Sequence, residues 1–447
     1  MNRLPHTWDA LLARFGRFTS IQEQAIDPLL GGKNCVLVSA TASGKTEAAL
    51  APLLELDKRR SFARIHTRSL RLLYIVPTRA LTRDLARRLE QPLARLAVRM
   101  KVKTGDEPPL NRSPAPELLL TTPESFDSML ANAPRMLKDV RFVVLDEIHL
   151  YDNTPRGDQL RVLLNRLRRL KSYALARGDV ASDAVQFCAL SATVSDPKTV
   201  AGRYFADPVV VQTNGQRELD VELLAMDGPG VLRQLFADLP RRGGKKVLVF
   251  CQRRAECEEL AHLFSDDSPF GDQVYVHHAS LDRRVRHAVE REFSNARAAL
   301  CFATATLELG IDIGDVDLIV LTSPPNSTGS FLQRIGRGNR RTSRTAVVCL
   351  YRTAREEALY RIFIRAAVAG EIEAEDYVFR PSVIIQQLCS YIKQTRFGEF
   401  DPESAYELFA APDGTPLLGK SQYESIIEYL IRENFFFRLA AARCGPA

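Results

Sequence analysis

The stretch Ser39-Ala40-Thr41-Ala42-Ser43-Gly44-Lys45-Thr46 restricts what this chain can fold into more than any other. It follows the apolar run Cys35-Val36-Leu37-Val38 and matches the pattern GxxxxGK[ST], with Ser39 in place of the first glycine. Such a loop wraps anionic oxygens with backbone N–H groups, so it needs a strand feeding it and a helix leaving it. A helix starting near Lys45 adds its positive N-terminal end to the same anion site. The pattern predicts an α/β sheet in which Thr41, Ala42, Ser43 and Gly44 line a nucleotide's phosphates. Lys45 then reaches the β and γ phosphates, and the Thr46 hydroxyl reaches Mg²⁺.

The rest of the chain keeps this rhythm. Short apolar runs recur at 72–76, 118–120, 142–145 and 187–190, with helix-period stretches between most of them. A second set follows at 247–250, 274–276, 299–302, 318–321 and 346–350. Alternation of this kind reads as parallel sheets covered by helices on both faces. Between the sets lies a turn-rich stretch with Gly228-Pro229-Gly230 and Arg241-Arg242-Gly243-Gly244. The predicted units are 1–215, 216–370 and 371–447. In the last, Ile384, Ile385, Leu388 and Ile392 mark a helix, Pro402 to Phe409 a second and Ser421 to Arg432 a third, before a strand at Phe435 to Leu439. Three helices and a strand resemble a winged helix; a plain helical bundle is the alternative.

Composition narrows the function classes. The chain has 447 residues and a net charge of +7, a mild basic excess compatible with nucleic acid as a partner. Arginine clusters at Arg87-Arg88 and Arg166 to Arg169 read either as solvated helix faces or as contacts to such a partner. The eight cysteines form no CxxC, which argues against a zinc or iron–sulfur site. No apolar run approaches the roughly 18 residues of a membrane span, and the opening Met1 to His6 has no apolar signal segment. A cytoplasmic location is the expectation.

Two further motifs complete a reactive set. Asp146-Glu147-Ile148-His149 follows the apolar run 142–145, where an acidic pair at a strand end suits Mg²⁺ (Asp146) and an attacking water (Glu147). Gln333-Arg334-Ile335-Gly336-Arg337-Gly338-Asn339-Arg340 lies in the second unit. Arg337 and Arg340 are candidates to reach the γ phosphate across a cleft, with Gln333 beside them. Thr78, Arg79, Thr121 and Thr122 follow strands of the first unit and Thr304 and Thr306 a strand of the second. Together they form a candidate backbone-gripping track, to which Arg253 adds a charge. For any single threonine, a helix N-cap is the competing reading.

In this order the motifs resemble the superfamily 2 helicases over residues 15–350. Phe18-Thr19-Ser20-Ile21-Gln22 looks like the Q motif, which implies that Gln22 reads adenine. Pro77-Thr78-Arg79-Ala80-Leu81, Thr121-Thr122-Pro123-Glu124, Ser191-Ala192-Thr193 and Phe250 to Arg254 resemble motifs Ia, Ib, III and IV. Ala303 to Asp312 resembles motif V, which implies nucleotide contacts by Gly310 and Asp312. Within the superfamily the chain looks most like the Lhr-type branch, through Asp146 to His149, Leu307 to Gly314 and Phe331 to Arg337. The resemblance implies two tandem RecA-like P-loop NTPase domains and a winged helix. It also implies ATP-driven 3′→5′ translocation on single-stranded DNA, with unwinding of duplex or DNA–RNA hybrid. Lhr-type chains continue well past a winged helix, whereas this one stops at residue 447, which leaves hydrolysis more firmly expected than unwinding.

Ala42 stands where many relatives carry glycine; it is small enough for binding to survive. His149 is expected to link the nucleotide site to Ser191 or Thr193. Phe15 and Phe18 are candidates to cover adenine, each equally readable as core. Three functions stay open: a DNA helicase, as in repair; an RNA helicase or remodeller; and an ATP-switched clamp.

Overall fold

The computed structural model describes residues 3–39, 43–61, 69–105, 115–192, 194–213, 218–239, 245–265, 269–308, 313–338, 344–369, 377–395, 397–438 and 443–446. Thr41, Ala42, Thr193, Gly310, Asp312 and Arg340 lie outside them.

The first unit holds seven strands: β1 (Cys35–Val38), β2 (Leu72–Ile75), β3 (Met100–Lys103), β4 (Leu118–Thr121), β5 (Phe142–Leu145), β6 (Gln186–Ser191) and β7 (Val209–Gln212). Their order is β3-β4-β2-β5-β6-β1-β7, and every pairing is parallel. Helices α1 (Ser20–Leu30), α2 (Lys45–Ser61), α3 (Arg79–Arg95), α4 (Pro123–Asn132), α5 (Pro155–Ala176) and α6 (Pro197–Gly202) cover it. The central strands are fully buried because each face has its own core, which is why they read as unbroken apolar runs. Edge strands β3 and β7 escape that signal. β3 alternates Met-Lys-Val-Lys, and β7 buries only Val211.

The second unit repeats the plan with β8 (Glu218–Ala225), β9 (Lys246–Phe250), β10 (Val274–His277), β11 (Ala299–Ala303), β12 (Leu318–Leu321) and β13 (Arg344–Tyr351). The order is β10-β11-β9-β12-β13-β8, again all parallel. Its helices are α7 (Gly230–Ala237), α8 (Arg254–Ser265), α9 (Arg283–Asn295), α10 (Thr328–Ile335) and α11 (Ala354–Ala369). Two separate cores again flank the sheet. Both units are RecA-like parallel-sheet domains. Parallel sheets of this kind bind ligands outside the carboxyl ends of their strands.

The last unit has α12 (Ser382–Gln394), α13 (Pro402–Tyr406), α14 (Lys420–Arg432) and an antiparallel hairpin of β14 (Phe436–Arg438) and β15 (Cys444–Pro446). The last unit is thus helical with a terminal two-stranded hairpin. This unit is braced on the first one. The fully buried Arg166 of α5 donates to Asp127 of α4 at 2.7 Å, to Gln387 at 3.0 Å and to Gln394 at 2.8 Å. Tyr377 donates to Asp158 at 2.6 Å, and its ring lies 3.9 Å from the Arg161 guanidinium carbon. Arg168 donates to Tyr204 O, and Arg169 reaches Ser404. Arg166 and Arg169 therefore form part of the seam between two units, while Arg168 bonds within the first. Arg88 pairs with Glu47, while Arg87 pairs with Asp84 of its own helix and stays largely exposed, a solvated face. Among the described residues no helix is long and apolar enough to cross a membrane.

Candidate nucleotide and strand sites

Strands β5, β6 and β1 are neighbours, so the residues after Leu145, at Ser191 and after Val38 meet at one edge of the first sheet. The phosphate-loop pattern ends there. Lys45 is buried and donates to Ser39 O. Gly44 has φ +85°, and a Cβ at this position would stand 2.4 Å from Gln22 Nε2, so only glycine fits. Gln22 itself is fully buried; its Oε1 accepts from Thr19 N at 3.0 Å and its Nε2 faces Gly44 O at 3.5 Å. Thr19 donates to Ser43 O at 2.9 Å. The start of α1 thus clasps the loop from behind.

The structure separates the two phenylalanines. Phe18 is half-buried and packs edge-on against Trp8 at 4.7 Å, at the margin of the core. Phe15 is half-buried, beside Gly44, with the Arg14 guanidinium 5.0 Å from its ring centre. Phe15 is the one placed next to the loop.

Asp146 is buried. Its Oδ2 accepts from Tyr74 Oη at 3.1 Å and its Oδ1 from Glu147 N at 3.0 Å. Burial, then the neighbouring Glu147 carboxylate, push its pKa up to about 7, against the pull of Tyr74 and Lys45. Glu147 has φ +48°, the left-handed region that a side chain rarely adopts, and strain of this sort concentrates at functional turns. His149 Nδ1 accepts from Ala192 N at 3.3 Å, with Ser191 Oγ 3.2 Å away. Burial lowers the pKa of this ring, so it is neutral with Nδ1 bare. His149 and Ser191 therefore meet.

On the second sheet two arginines share a partner, Glu308. Arg334 Nε donates to the Glu308 carboxylate at 2.6 Å, and Ser330 Oγ donates to the same oxygen at 3.1 Å. Arg337 donates to the Glu308 carbonyl through Nε at 3.1 Å and Nη2 at 2.7 Å. Gln333 is half-buried beside them. Sequence reasoning missed both Glu308 and Arg334. The signal was an acid inside the motif V segment, facing a motif with one arginine more than the γ phosphate needs.

The track residues divide. Thr78 caps α3, accepting from Leu81 N at 3.2 Å, and Arg79 is exposed over Gly105. Thr121 is fully buried and donates to Lys103 O at 2.8 Å, so its hydroxyl shapes the turn and is not presented to a strand. Thr122 is buried too, 3.5 Å from Ser125 Oγ. Arg253 is exposed, and Thr304 half-buried. Thr306 Oγ1 lies 2.8 Å from His277 Nδ1 and 3.2 Å from His277 O; His277 Nε2 lies 3.1 Å from Glu290.

A model of the DEAD/DEAH box helicase family matches residues 19–200, and one of the helicase conserved C-terminal domain matches 230–342. The ATP-dependent helicase Lhr-Core of Methanocaldococcus jannaschii is 27% identical over 93% of this chain and 51% of its own length. That of Sulfolobus acidocaldarius is 29% identical over 92% of the chain and 50% of its own. The chain belongs to the DEAD/DEAH-type helicases of the Lhr-like branch. It spans about half the length of the curated Lhr-Core relatives it matches. The fold agrees with that of Mycobacterium smegmatis helicase Lhr, solved with single-stranded DNA and AMP-PNP. The TM-score is 0.81 at 24% identity, over 99% of this chain and 60% of that one. Helicase MrfA, solved with DNA, gives 0.78 at 20% identity, over 99% and 62%.

Proposed function

We propose that this chain hydrolyses ATP with Mg²⁺ and uses the cycle to move along single-stranded nucleic acid. DNA is the preferred strand, the direction is 3′→5′, and duplex or DNA–RNA hybrid is opened ahead. The observation that carries this reading is the meeting of Lys45, Asp146 and the His149–Ser191 link at the carboxyl ends of β1, β5 and β6. A nucleotide site joined to a second motif in this way is built to report its state. The DNA-bound Lhr and MrfA match this fold at TM-scores of 0.81 and 0.78, against 0.65 and 0.67 for the RNA-bound Dbp5 and Mss116p, and that difference favours DNA.

The donors present fit magnesium: a hydroxyl on Thr46 and a buried carboxylate on Asp146, both hard oxygens, both in reach of Tyr74 Oη. Held by Thr46 and Asp146, Mg²⁺ would supply positive charge against the negative charge that develops on the phosphate during transfer. Every other part is the chain's own. Lys45 leaves Ser39 O for the β and γ phosphates. Gln22 holds the loop and reads adenine, and Phe15 covers the base. Glu147 orients the attacking water. Arg337 and Arg340, with Gln333, complete the site from the second unit, and Gly310 and Asp312 line it. His149, through Ser191 and Thr193, passes the nucleotide state on. Arg79, Arg253, Thr78 and Thr304 grip the strand by its backbone, which keeps movement independent of sequence.

The test is hydrolysis measured alone, with single-stranded DNA and with single-stranded RNA, followed by unwinding of 3′- and 5′-tailed duplexes. DNA stimulation and opening from 3′ tails are expected, and Lys45→Ala should abolish both. Unstimulated hydrolysis with no binding to either polymer sinks the motor reading. Stimulation by RNA alone moves the chain to the RNA remodellers.

A further inference from the structure

The nucleotide site leans on a tyrosine that no phosphate-loop pattern asks for. Tyr74 sits in β2 between Leu73 and Ile75, fully buried, in a strand whose other members are aliphatic. β2 pairs with β5, placing Tyr74 opposite Val144, two residues before Asp146. The ring lies in the same core as Ala48, Ala49 and Ala51 of α2, so it runs beneath the helix that starts at Lys45. Its hydroxyl emerges between two groups far apart in sequence. It donates to Asp146 Oδ2 at 3.1 Å, and it is in hydrogen-bonding reach of the Thr46 side chain.

We propose that Tyr74 is a positioning residue that holds the Asp146 carboxylate and the Thr46 hydroxyl at the spacing a divalent cation requires, before nucleotide and metal arrive. The proposal rests on the reading of Thr46 and Asp146 as the magnesium groups. A phenol has one proton to give and lone pairs to accept with. Given to Asp146, that proton leaves the oxygen free to accept from Thr46 O–H. Asp146 is then fixed at both oxygens, by Tyr74 on Oδ2 and by Glu147 N on Oδ1 at 3.0 Å. Each oxygen keeps a lone pair, and so does Thr46 Oγ1. Without the phenol the carboxylate pivots about a single donor, and its set position must be regained each time a metal binds. Partners of this kind behind a metal ligand raise affinity without touching the metal.

Tyr74→Phe removes only the hydroxyl. The affinity of the full chain for mant-ADP is measured in EDTA and across a Mg²⁺ titration, for wild type, Tyr74→Phe and Thr46→Ala. Tyr74→Phe should bind mant-ADP in EDTA as wild type does, because the ring still packs in the core with α2. Its enhancement by Mg²⁺ should fall about tenfold. Thr46→Ala should lose most of the enhancement. Mn²⁺ binding followed by electron paramagnetic resonance gives the same ranking with no hydrolysis involved. Tyr74→Leu, matched to its strand neighbours, repeats the test if the phenylalanine variant folds poorly. Full Mg²⁺ enhancement in a folded Tyr74 variant, with Thr46→Ala defective, overturns the role of Tyr74 and leaves the site intact. Full enhancement in both variants overturns the magnesium reading and this proposal with it.

Discussion

The two halves of the proposed site carry their buried charge in opposite ways. On the first sheet, Asp146 is hydrogen-bonded by two neutral donors, Tyr74 Oη and Glu147 N, and lies next to a second carboxylate. Its pKa rises to about 7 because burial and Glu147 together outweigh those donors and Lys45. On the second sheet, the buried Glu308 faces a guanidinium, Arg334, at 2.6 Å. The first half holds a negative charge that a cation would relieve. The second is already matched and holds a shape. One half is made to receive a ligand, and the other to present arginines from a fixed frame.

The sharpest way to break this contrast is Glu308→Ala. It leaves Arg334 buried without its carboxylate and should destabilise the chain by about 3–5 kcal/mol in a denaturant titration. A loss under about 1 kcal/mol would mean that the pair holds nothing. Asp146→Asn should do the reverse. Hydrolysis should drop roughly 1,000-fold, as the loss of several kcal/mol of charge stabilisation requires. Stability should hold or rise. The pH sign follows from linkage: a carboxyl whose folded pKa is raised contributes stability that is complete below its unfolded pKa and lost as pH rises through the folded one. In EDTA, wild-type Tm should therefore fall as pH rises through about 7. Asp146→Asn should flatten that fall. An unchanged slope in the variant would show that Asp146 is not the group responsible.

Much of this was readable in the sequence, and the limits are physical. Strands buried on both faces announce themselves as apolar runs, so β1, β2, β4, β5 and β6 were legible. Edge strands β3, β7 and β8 carry polar or exposed positions and were not. The residues proposed for phosphate and metal follow a pattern set by phosphate geometry, and so Lys45, Thr46 and Asp146 stand out. Tyr74 meets Asp146 from a strand distant in sequence, and nothing local marks it. Glu308 stands inside the motif V segment, but that segment alone does not show that it faces Arg334. The Arg166 cluster shows the reverse error, since a run of charges cannot say whether it faces solvent, a strand or another unit. Gly44 was legible as motif, but its neighbour was not. Gly44→Ala must both adopt φ +85° and meet Gln22 Nε2 at 2.4 Å, so a cost of about 1–3 kcal/mol is expected. Adding Gln22→Ala should recover the contact part alone, so the double variant should lose less than the sum of the two single ones. Strict additivity would mean that glutamine and loop do not touch.

The smallest predicted effect tests whether the first half signals as well as binds. His149 Nδ1 accepts from Ala192 N only while the ring is neutral. Burial holds its pKa below the usual 6.5. A depressed pKa contributes stability present above pH 6.5 and lost as pH falls through the folded value. His149→Ala should remove that acid limb, seen as a smaller loss of stability between pH 7.5 and pH 5 than in wild type. It should also reduce the stimulation of hydrolysis by single-stranded DNA while leaving the unstimulated rate near wild type, because Lys45, Asp146 and Glu147 remain in place. A variant that loses both rates equally would place His149 in the nucleotide site proper. One that loses neither would reduce the His149–Ser191 contact to packing, and the first half would then bind without reporting.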